Sequence, residues 1–166
     1  MRLPAIPWSL ALLCTLTPLH AMKPAQLSAA AETEIRTSVQ ETLDAFRDAS
    51  ASGEWNEVIA FYLDSPEFRW TEQGGVQYRS VEEIRKSLTS FPAGTRIVTT
   101  YTATEITPLA PDSAQVVTRF ATRVAIPQSG GFKSGGTLTL TLVRRDGAWR
   151  FAEGRTTPAA SAGSPP

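Results

Sequence analysis

The chain has 166 residues, and its 16 Lys and Arg residues balance 16 Asp and Glu residues, so the formal net charge is zero. This length is typical of one domain, and the 42% hydrophobic and 19% charged residues are ordinary for a globular protein. Without an excess of basic residues to neutralise phosphates, the composition argues against nucleic acid as a partner.

The first 21 residues have the pattern of a secretory signal. A positive charge at Arg2 precedes the apolar run LPAIPWSLALLCTLTPL (residues 3–19), and LHA at 19–21 offers a small residue for cleavage. The run is short for a transmembrane helix and contains three prolines, so we expect no stable membrane insertion after signal removal. A retained membrane anchor and lipidation at Cys14 are the alternatives. Export predicts that the mature protein is periplasmic or secreted.

Signal removal would leave a mature chain without cysteine or histidine, because the single residue of each type, Cys14 and His20, lies within the signal. This excludes disulfide bonds, cysteine nucleophiles, Ser-His-Asp triads and zinc sites built on Cys or His. We therefore expect no metal and no cofactor. Any catalysis would have to use Asp, Glu, Tyr, Lys or Arg.

The predicted mature chain begins with a flexible lead-in over residues 22–31, and an amphipathic helix follows from residue 32. Thr33 is a candidate N-cap for this helix, and Gly53 is placed to end it. Its apolar residues recur every three or four positions and form one stripe: Ile35, Val39, Leu43 and Phe46.

Two further helices and one strand are predicted before residue 92. The segment EWNEVIAFYLDSP (54–66) is a second helix that buries Tyr62 and cannot continue past Pro66. The alternating segment EFRWTEQGG (67–75) is a strand that ends in a turn at Gly74-Gly75. The segment SVEEIRKSLTSF (80–91) is a third helix, which Ser80 and a glutamate three residues later begin as a capping box.

The rest of the chain is predicted to be β-structure. Four strands are expected, and the dipeptide Asp146-Gly147 is a strong signal for a two-residue hairpin between the last two. These strands are TRIVTTYTATEITPL (95–109), AQVVTRFATRVAI (114–126), TLTLTLVRR (137–145) and WRFAEGRTT (149–157). The Pro-rich residues 158–166 are expected to form a disordered tail.

The order α-α-β-α-β-β-β-β indicates an α+β fold. Three N-terminal helices would pack on a curved antiparallel sheet and enclose a cone-shaped cavity, a place where ligand pockets form.

Four segments give the chain a family resemblance: WNEVIAFYLDSPEF, FRWTEQGG, RSVEEIRKSL and LTLVRRDGAWRFAEGRTT. They resemble the nuclear transport factor 2-like superfamily, and in particular its SnoaL-like and ketosteroid-isomerase-like bacterial members. The resemblance covers about residues 32–157, which we expect to form one SnoaL-like domain. It implies the fold but not one function, since this superfamily includes isomerases, dehydratases, cyclases, immunity proteins and non-catalytic binding or dimerising domains.

The resemblance also implies where a site would lie. Many family members carry cavity-facing histidines near the end of the last strand, where this chain has Glu153 and Arg155. Strand alternation extends the predicted pocket to Tyr62, Trp70, Glu72, Tyr101, Glu153 and Arg155. Arg119 or Arg123 would join them if the strand at 115–126 faces that way, but its alternation fits either orientation. The catalytic candidates are Glu72, Glu153 and Tyr62.

These residues suggest proton-transfer chemistry. A carboxylate of Glu72 or Glu153 beside Trp70 could act as a general base, and a hydroxyl of Tyr62 or Tyr101 could bind a developing oxyanion. Alternatively, Glu153 and Arg155 lie at a wet strand end and have no chemical role.

Three functional hypotheses remain open at this point. We favour an exported, non-catalytic domain that binds a small, largely apolar ligand or forms a homodimer through its sheet face. The first alternative is an isomerase or hydrolyase that uses a carboxylate and a tyrosine. The second is a periplasmic inhibitor or immunity-type partner.

Overall fold

The computed structural model of the protein describes residues 27–159 and confirms the α+β fold. The chain forms α1 (Ala29–Ser52), α2 (Trp55–Ile59), β1 (Arg69–Thr71), β2 (Gln77–Tyr78), α3 (Val81–Thr89), β3 (Arg96–Ala110), β4 (Ser113–Ala125), β5 (Phe132–Arg145) and β6 (Ala148–Pro158). The strands form one sheet in the order β2-β1-β6-β5-β4-β3. The element order follows the prediction except for the short strand β2.

Helix α1 begins earlier than predicted. Its N-cap is Ser28, whose hydroxyl accepts a hydrogen bond from the backbone N–H of Ala31 at 3.2 Å, so three residues of the expected lead-in are helical. Thr33 is not the cap, and its hydroxyl donates to the carbonyl of Ala29. The helix ends at Gly53 as predicted, with φ of 81°, where a Cβ would lie 2.7 Å from the carbonyl oxygen of Thr95.

Helix α2 is shorter than predicted, because the chain after Ile59 pairs with the sheet instead of continuing the helix. The backbone N–H of Leu63 donates to the carbonyl of Phe151 at 2.9 Å, and the N–H of Phe151 donates to the carbonyl of Phe61 at 2.8 Å. Tyr62 therefore follows the helix and forms a parallel bridge with Phe151.

The sheet is mixed, whereas the sequence predicted an antiparallel one. Gly74 and Gly75, with φ of 86° and 84°, turn β1 into the hairpin partner β2. On its other side, β1 pairs with β6 in parallel. The remaining pairs, β3–β4, β4–β5 and β5–β6, are antiparallel. The short β1–β2 unit thus lies at one edge of the sheet, beside the end of the last strand.

One face of the sheet, which we call the inner face, packs on the helices. The fully buried side chains of this core come from α1 and from alternate residues of the long strands, and they include Val39, Leu43, Val116, Leu140, Leu142 and Phe151. The opposite face, which we call the outer face, exposes the intervening residues, such as Val98 and Val117. This arrangement follows from the alternation of side chains along a strand.

The predicted signal (residues 1–21) and most of the predicted tail lie outside residues 27–159. β6 reaches Pro158, one residue beyond the predicted end of the last strand. In the described part of the chain, no helix has the length and apolar character needed to cross a membrane.

Candidate functional site

A β-bulge in β6 determines which side chains reach the inner face. Phe151 pairs with Leu142 and Glu153 pairs with Thr141, so two consecutive positions of β5 span three of β6, and Ala152 is the extra residue. Before the bulge, Trp149 and Phe151 are buried. After it, Gly154 is buried and its neighbours on both sides are exposed. The alternation therefore changes parity at Ala152.

The bulge corrects the predicted pocket. Glu153 and Arg155 continue the face of Trp149 and Phe151 only if the alternation is unbroken, and instead they are exposed on the outer face. Arg123 is also exposed on the outer face, because it pairs with Val98 and lies between the inner residues of β4.

The orientation of β4, which the sequence left open, is now determined. Val116, Thr118 and Val124 are buried on the inner face, and Phe120 and Thr122 share their alternation. Arg119 and Arg123 thus belong to the outer face.

Four predicted pocket residues do come together on the inner side: Tyr62, Trp70, Glu72 and Tyr101. Tyr62 is 9% exposed and Trp70 is 5% exposed, and their rings meet edge to face with centroids 5.2 Å apart. Phe151 and Phe46 extend this aromatic cluster at centroid separations of 4.9–5.9 Å from each other and from Tyr62. These aromatic rings form part of the hydrophobic core.

Hydrogen bonds hold the Glu72 carboxylate in a fixed position beside this cluster. The indole N–H of Trp70 donates to Oε1 at 2.6 Å, and the hydroxyl of Thr156 donates to Oε2 at 2.8 Å. Thr156 in turn accepts from the backbone N–H of Gln73 at 2.9 Å. Both carboxylate oxygens are thus oriented, and each keeps lone pairs for a further donor.

Strand alternation alone did not identify Gln73 and Thr156 as parts of this network. The Gln73 side chain donates to the carbonyl of Gly135 at 3.0 Å and so ties the end of β1 to β5. Thr156 reaches Glu72 only because of the bulge. The glycine at position 154, inside a strand, was the sequence signal for this irregularity.

The two buried tyrosines offer hydrogen-bond donors. Burial raises the pKa of Tyr62 well above its ordinary value, and the charge of Glu72 raises it further. Burial likewise raises the pKa of Tyr101 to about 12. Within residues 27–159 neither phenol hydroxyl has a hydrogen-bond partner, whereas the hydroxyl of Tyr78 lies 3.0 Å from that of Ser87. Both groups therefore stay neutral and can donate to another molecule.

The inner face of β3 and β4 also carries polar side chains. Hydroxyl pairs cross these strands, with Thr99 and Thr122 at 2.8 Å and Thr104 and Thr118 also at 2.8 Å. Tyr101, which pairs with Phe120, is half-buried between these two hydroxyl pairs. The site therefore combines an apolar floor, two phenol donors and one oriented carboxylate. Across the described range, no group of three or more Asp, Glu, His or Cys side chains is placed to hold a metal ion.

Comparisons with known proteins agree with this architecture. The sequence of residues 31–155 matches the SnoaL-like domain family. A putative scytalone dehydratase from Novosphingobium aromaticivorans superposes with a TM-score of 0.69 at 12% identity, covering 80% of this chain and 89% of that chain. A nuclear transport factor 2-like superfamily protein from Salmonella enterica gives a TM-score of 0.67 at 13% identity, covering 79% and 95%.

A third solved structure has higher sequence identity. An uncharacterized protein with a cystatin-like fold from Caulobacter vibrioides is 22% identical and gives a TM-score of 0.63, covering 77% of this chain and 92% of that chain. No curated protein matches the sequence. At these identities the structures share a fold and do not transfer an activity. The sequence match shows that this chain belongs to the SnoaL-like domain family, and its fold is the one seen in the nuclear transport factor 2-like protein from Salmonella enterica.

Proposed function

We propose that this protein is an exported domain that binds a small, largely apolar molecule on the inner side of its sheet. The observation that carries the proposal is the Tyr62 hydroxyl. It lies beside Glu72 on a residue that is 9% exposed, and no group of residues 27–159 accepts a hydrogen bond from it. A ligand oxygen that accepts from Tyr62 would give this hydroxyl a partner, and such a hydrogen bond contributes about 0.5–1.5 kcal/mol.

The surroundings of Tyr62 define the chemical class of the ligand. The half-buried Phe46 and the Trp70 ring both contact the ring of Tyr62 and supply an apolar floor, so most of the ligand surface would be hydrocarbon. Two phenol donors, Tyr62 and Tyr101, favour a ligand with a carbonyl or hydroxyl oxygen. Glu72 would accept from a ligand hydroxyl or lie beside an acidic C–H group. A cyclic ketone or a phenol fits this description.

A second candidate function, an isomerase or hydrolyase, is supported by the oriented carboxylate. Glu72 could remove a proton from carbon next to a ligand carbonyl, while Tyr62 donates to the enolate oxygen that forms. The same carboxyl group would then return the proton to a carbon of the ligand. Such acid–base catalysis contributes roughly 10²–10⁴-fold to a rate.

The outer face supports the alternative of a dimeric accessory module. Val98 is 49% exposed and Val117 is 37% exposed, and these residues lie on neighbouring strands of that face. Native mass spectrometry tests this part of the proposal. A monomer at micromolar concentration would exclude a homodimer through the sheet.

Ligand binding can be tested with simple probes. We expect 1-tetralone to quench tryptophan fluorescence on binding, and naphthalene, which has no oxygen, to bind more weakly. Loss of one hydrogen bond of about 0.5–1.5 kcal/mol in Tyr62→Phe should weaken 1-tetralone binding roughly 2- to 10-fold. The matched control is Glu153→Gln on the outer face, which should leave binding unchanged. Equal binding of both probes to wild type and Tyr62→Phe would contradict the proposed site.

Catalysis can be tested separately from binding. We expect bound 1-tetralone to exchange its α-protons for deuterium faster than in buffer, as followed by NMR in D₂O. Glu72→Gln should remove this acceleration while the protein still binds the ketone, and Glu153→Gln should retain it. Exchange at the buffer rate with wild type would exclude the catalytic candidate and leave the binding proposal standing.

Export is a separate part of the proposal, supported by the signal pattern of residues 1–21. Expression of the full chain in a Gram-negative host should yield a periplasmic product that begins near Met22 by intact mass. An uncleaved cytoplasmic product would contradict it.

A further inference from the structure

We propose that the outer face carries a second binding site, separate from the inner site, for a small molecule with a doubly charged oxyanion such as a phosphate monoester. A groove of about 300 Å³ lies across β2, β1 and β6. Its charged lining consists of Arg69, Arg79, Arg155 and Glu153, and all four residues are exposed. Three guanidinium groups and one carboxylate give a formal charge of +2, which a dianion balances.

Strand register places these charges next to one another. Trp70 pairs with Tyr78 at the end of the β1–β2 ladder, and Arg69 and Arg79 are the residues next to this pair. Both line the same groove. On its other side Arg69 pairs with Glu153. Like charges that lie close together repel, and an anion that both guanidinium groups contact would offset that repulsion.

The four charged side chains of the groove form no ion pairs within residues 27–159. The five ion pairs of residues 27–159 involve Arg36, Arg47, Arg85 and Arg144. Arg69 is held in place instead, because its Nη1 donates to the carbonyls of Pro66 at 2.8 Å and Phe68 at 2.6 Å. Its Nε and Nη2 stay available, and a partly fixed guanidinium loses less side-chain entropy when it binds an anion.

The next set of paired residues along the groove adds a third cationic side chain and two neutral side chains that can form hydrogen bonds. Thr71 pairs with Arg155 on one side and with Gln77 on the other. The hydroxyl and amide can both donate to oxygen, as can the guanidinium. The paired N–H groups of each guanidinium match the spacing of phosphate oxygens. A phosphate group, with more oxygens and more charge, therefore fits this arrangement better than a monocarboxylate does.

Binding of phenyl phosphate, inorganic phosphate and benzoate at low ionic strength tests the site, with isothermal titration calorimetry as the readout. We expect phenyl phosphate to bind at least 10-fold more tightly than benzoate above pH 7. Its affinity should fall below pH 6, where the phosphate becomes a monoanion. Inorganic phosphate binding as tightly as phenyl phosphate would identify a free-phosphate site, which supports the oxyanion chemistry and overturns the ester assignment.

Matched variants separate a site from general positive charge. Arg69→Gln/Arg79→Gln should weaken phenyl phosphate binding at least 10-fold, whereas Arg119→Gln/Arg123→Gln, elsewhere on the outer face, should change it less than 2-fold. Glu153→Gln should strengthen binding several-fold because it removes the neighbouring negative charge. Equal losses in the two double variants, or no binding to wild type, would overturn the proposal. Circular dichroism of each variant checks that the sheet is intact.

Discussion

The two faces of the sheet at the β1–β6 pair are built from alternate residues of the same two strands, yet they have opposite chemistry. On the inner face, Trp70 covers Gly154, and the Glu72 carboxylate accepts two hydrogen bonds from side chains. On the outer face, the Glu153 carboxylate is exposed between guanidinium groups that make no ion pair within residues 27–159. A glutamate is therefore a fixed hydrogen-bond acceptor on the inner face, whereas on the outer face a glutamate is a solvent-exposed charge.

This contrast depends on a single extra residue. At Phe151 the backbone of β6 pairs with residues 61–63, and after Ala152 the strand pairs with β1. The bulge lies at the point where the strand changes partner. It turns Gly154 inward, where the strand must pass under an indole ring, and turns the charged residues outward. The bulge thus determines which side chains of β6 lie on each face of the sheet, in addition to bending the strand.

The sharpest way to break the contrast is to insert one alanine between Glu153 and Gly154. The insertion would reverse the alternation from Gly154 onward, which turns Arg155 toward the core and Thr156 away from Glu72. Burying a charge without a preformed partner costs several kcal/mol. We expect the variant to lose its cooperative thermal unfolding transition, as followed by circular dichroism.

The control for this insertion is Ala152→Ser, which keeps the chain length and should retain the transition within a few degrees. An insertion variant that unfolds cooperatively near the wild-type temperature would show that the alternation of β6 after the bulge does not determine the two faces.

The next largest effect is expected at Gly154. A Cβ at this position would overlap Cε3 of the Trp70 ring, so the ring would have to move. Overpacking of this kind typically costs about 1–3 kcal/mol. We expect Gly154→Ala to lower the free energy of unfolding in urea by that amount and to disturb the hydrogen bond from Trp70 to Glu72.

The neighbouring substitution Glu153→Ala, which points outward, should change the free energy of unfolding by less than about 0.5 kcal/mol. Equal effects at the two positions would mean that inner and outer faces do not differ in packing at this end of the sheet.

Local signals in the sequence predicted most of the fold. Gly53 ends α1, Ser80 begins α3 by accepting from the N–H of Glu83, and Asp146-Gly147 forms the hairpin between β5 and β6. Each of these features depends on the conformation of a few consecutive residues, which explains why sequence reasoning could identify it.

Features set by distant partners were predicted less well. The second helix ends at Ile59 because residues 61–63 pair with Phe151, almost 90 residues later in the chain. The bulge at Ala152 directly follows Phe151 in β6. An alanine in the sequence does not indicate a bulge. Trp70 and Glu72 were placed on the inner side by alternation over a short strand. Glu153 and Arg155 were misplaced because the same rule was carried across a bulge.

The smallest expected effect concerns Tyr101 and appears only at high pH. Burial raises the pKa of Tyr101 to about 12, above the value near 10 of an exposed tyrosine, so folding favours the neutral phenol. Its contribution to stability is complete below pH 10 and is lost as the pH rises toward 12, because the unfolded chain ionises first. By linkage this loss is about 1 kcal/mol between pH 9 and pH 11. We expect Tyr101→Phe to remove that part of the pH dependence.

The readout for Tyr101→Phe is the free energy of unfolding in urea at pH 8, 9, 10 and 11. At pH 8 the variant should lie close to wild type, because no hydrogen bond to another side chain or backbone group in residues 27–159 is lost. At pH 11 the wild type should have lost more stability than the variant. Parallel pH curves would mean that the Tyr101 phenol is not held in a dry environment. In that case the inner face around Tyr101 would be as wet as the outer one, and the contrast between the faces would be confined to the aromatic cluster around Tyr62.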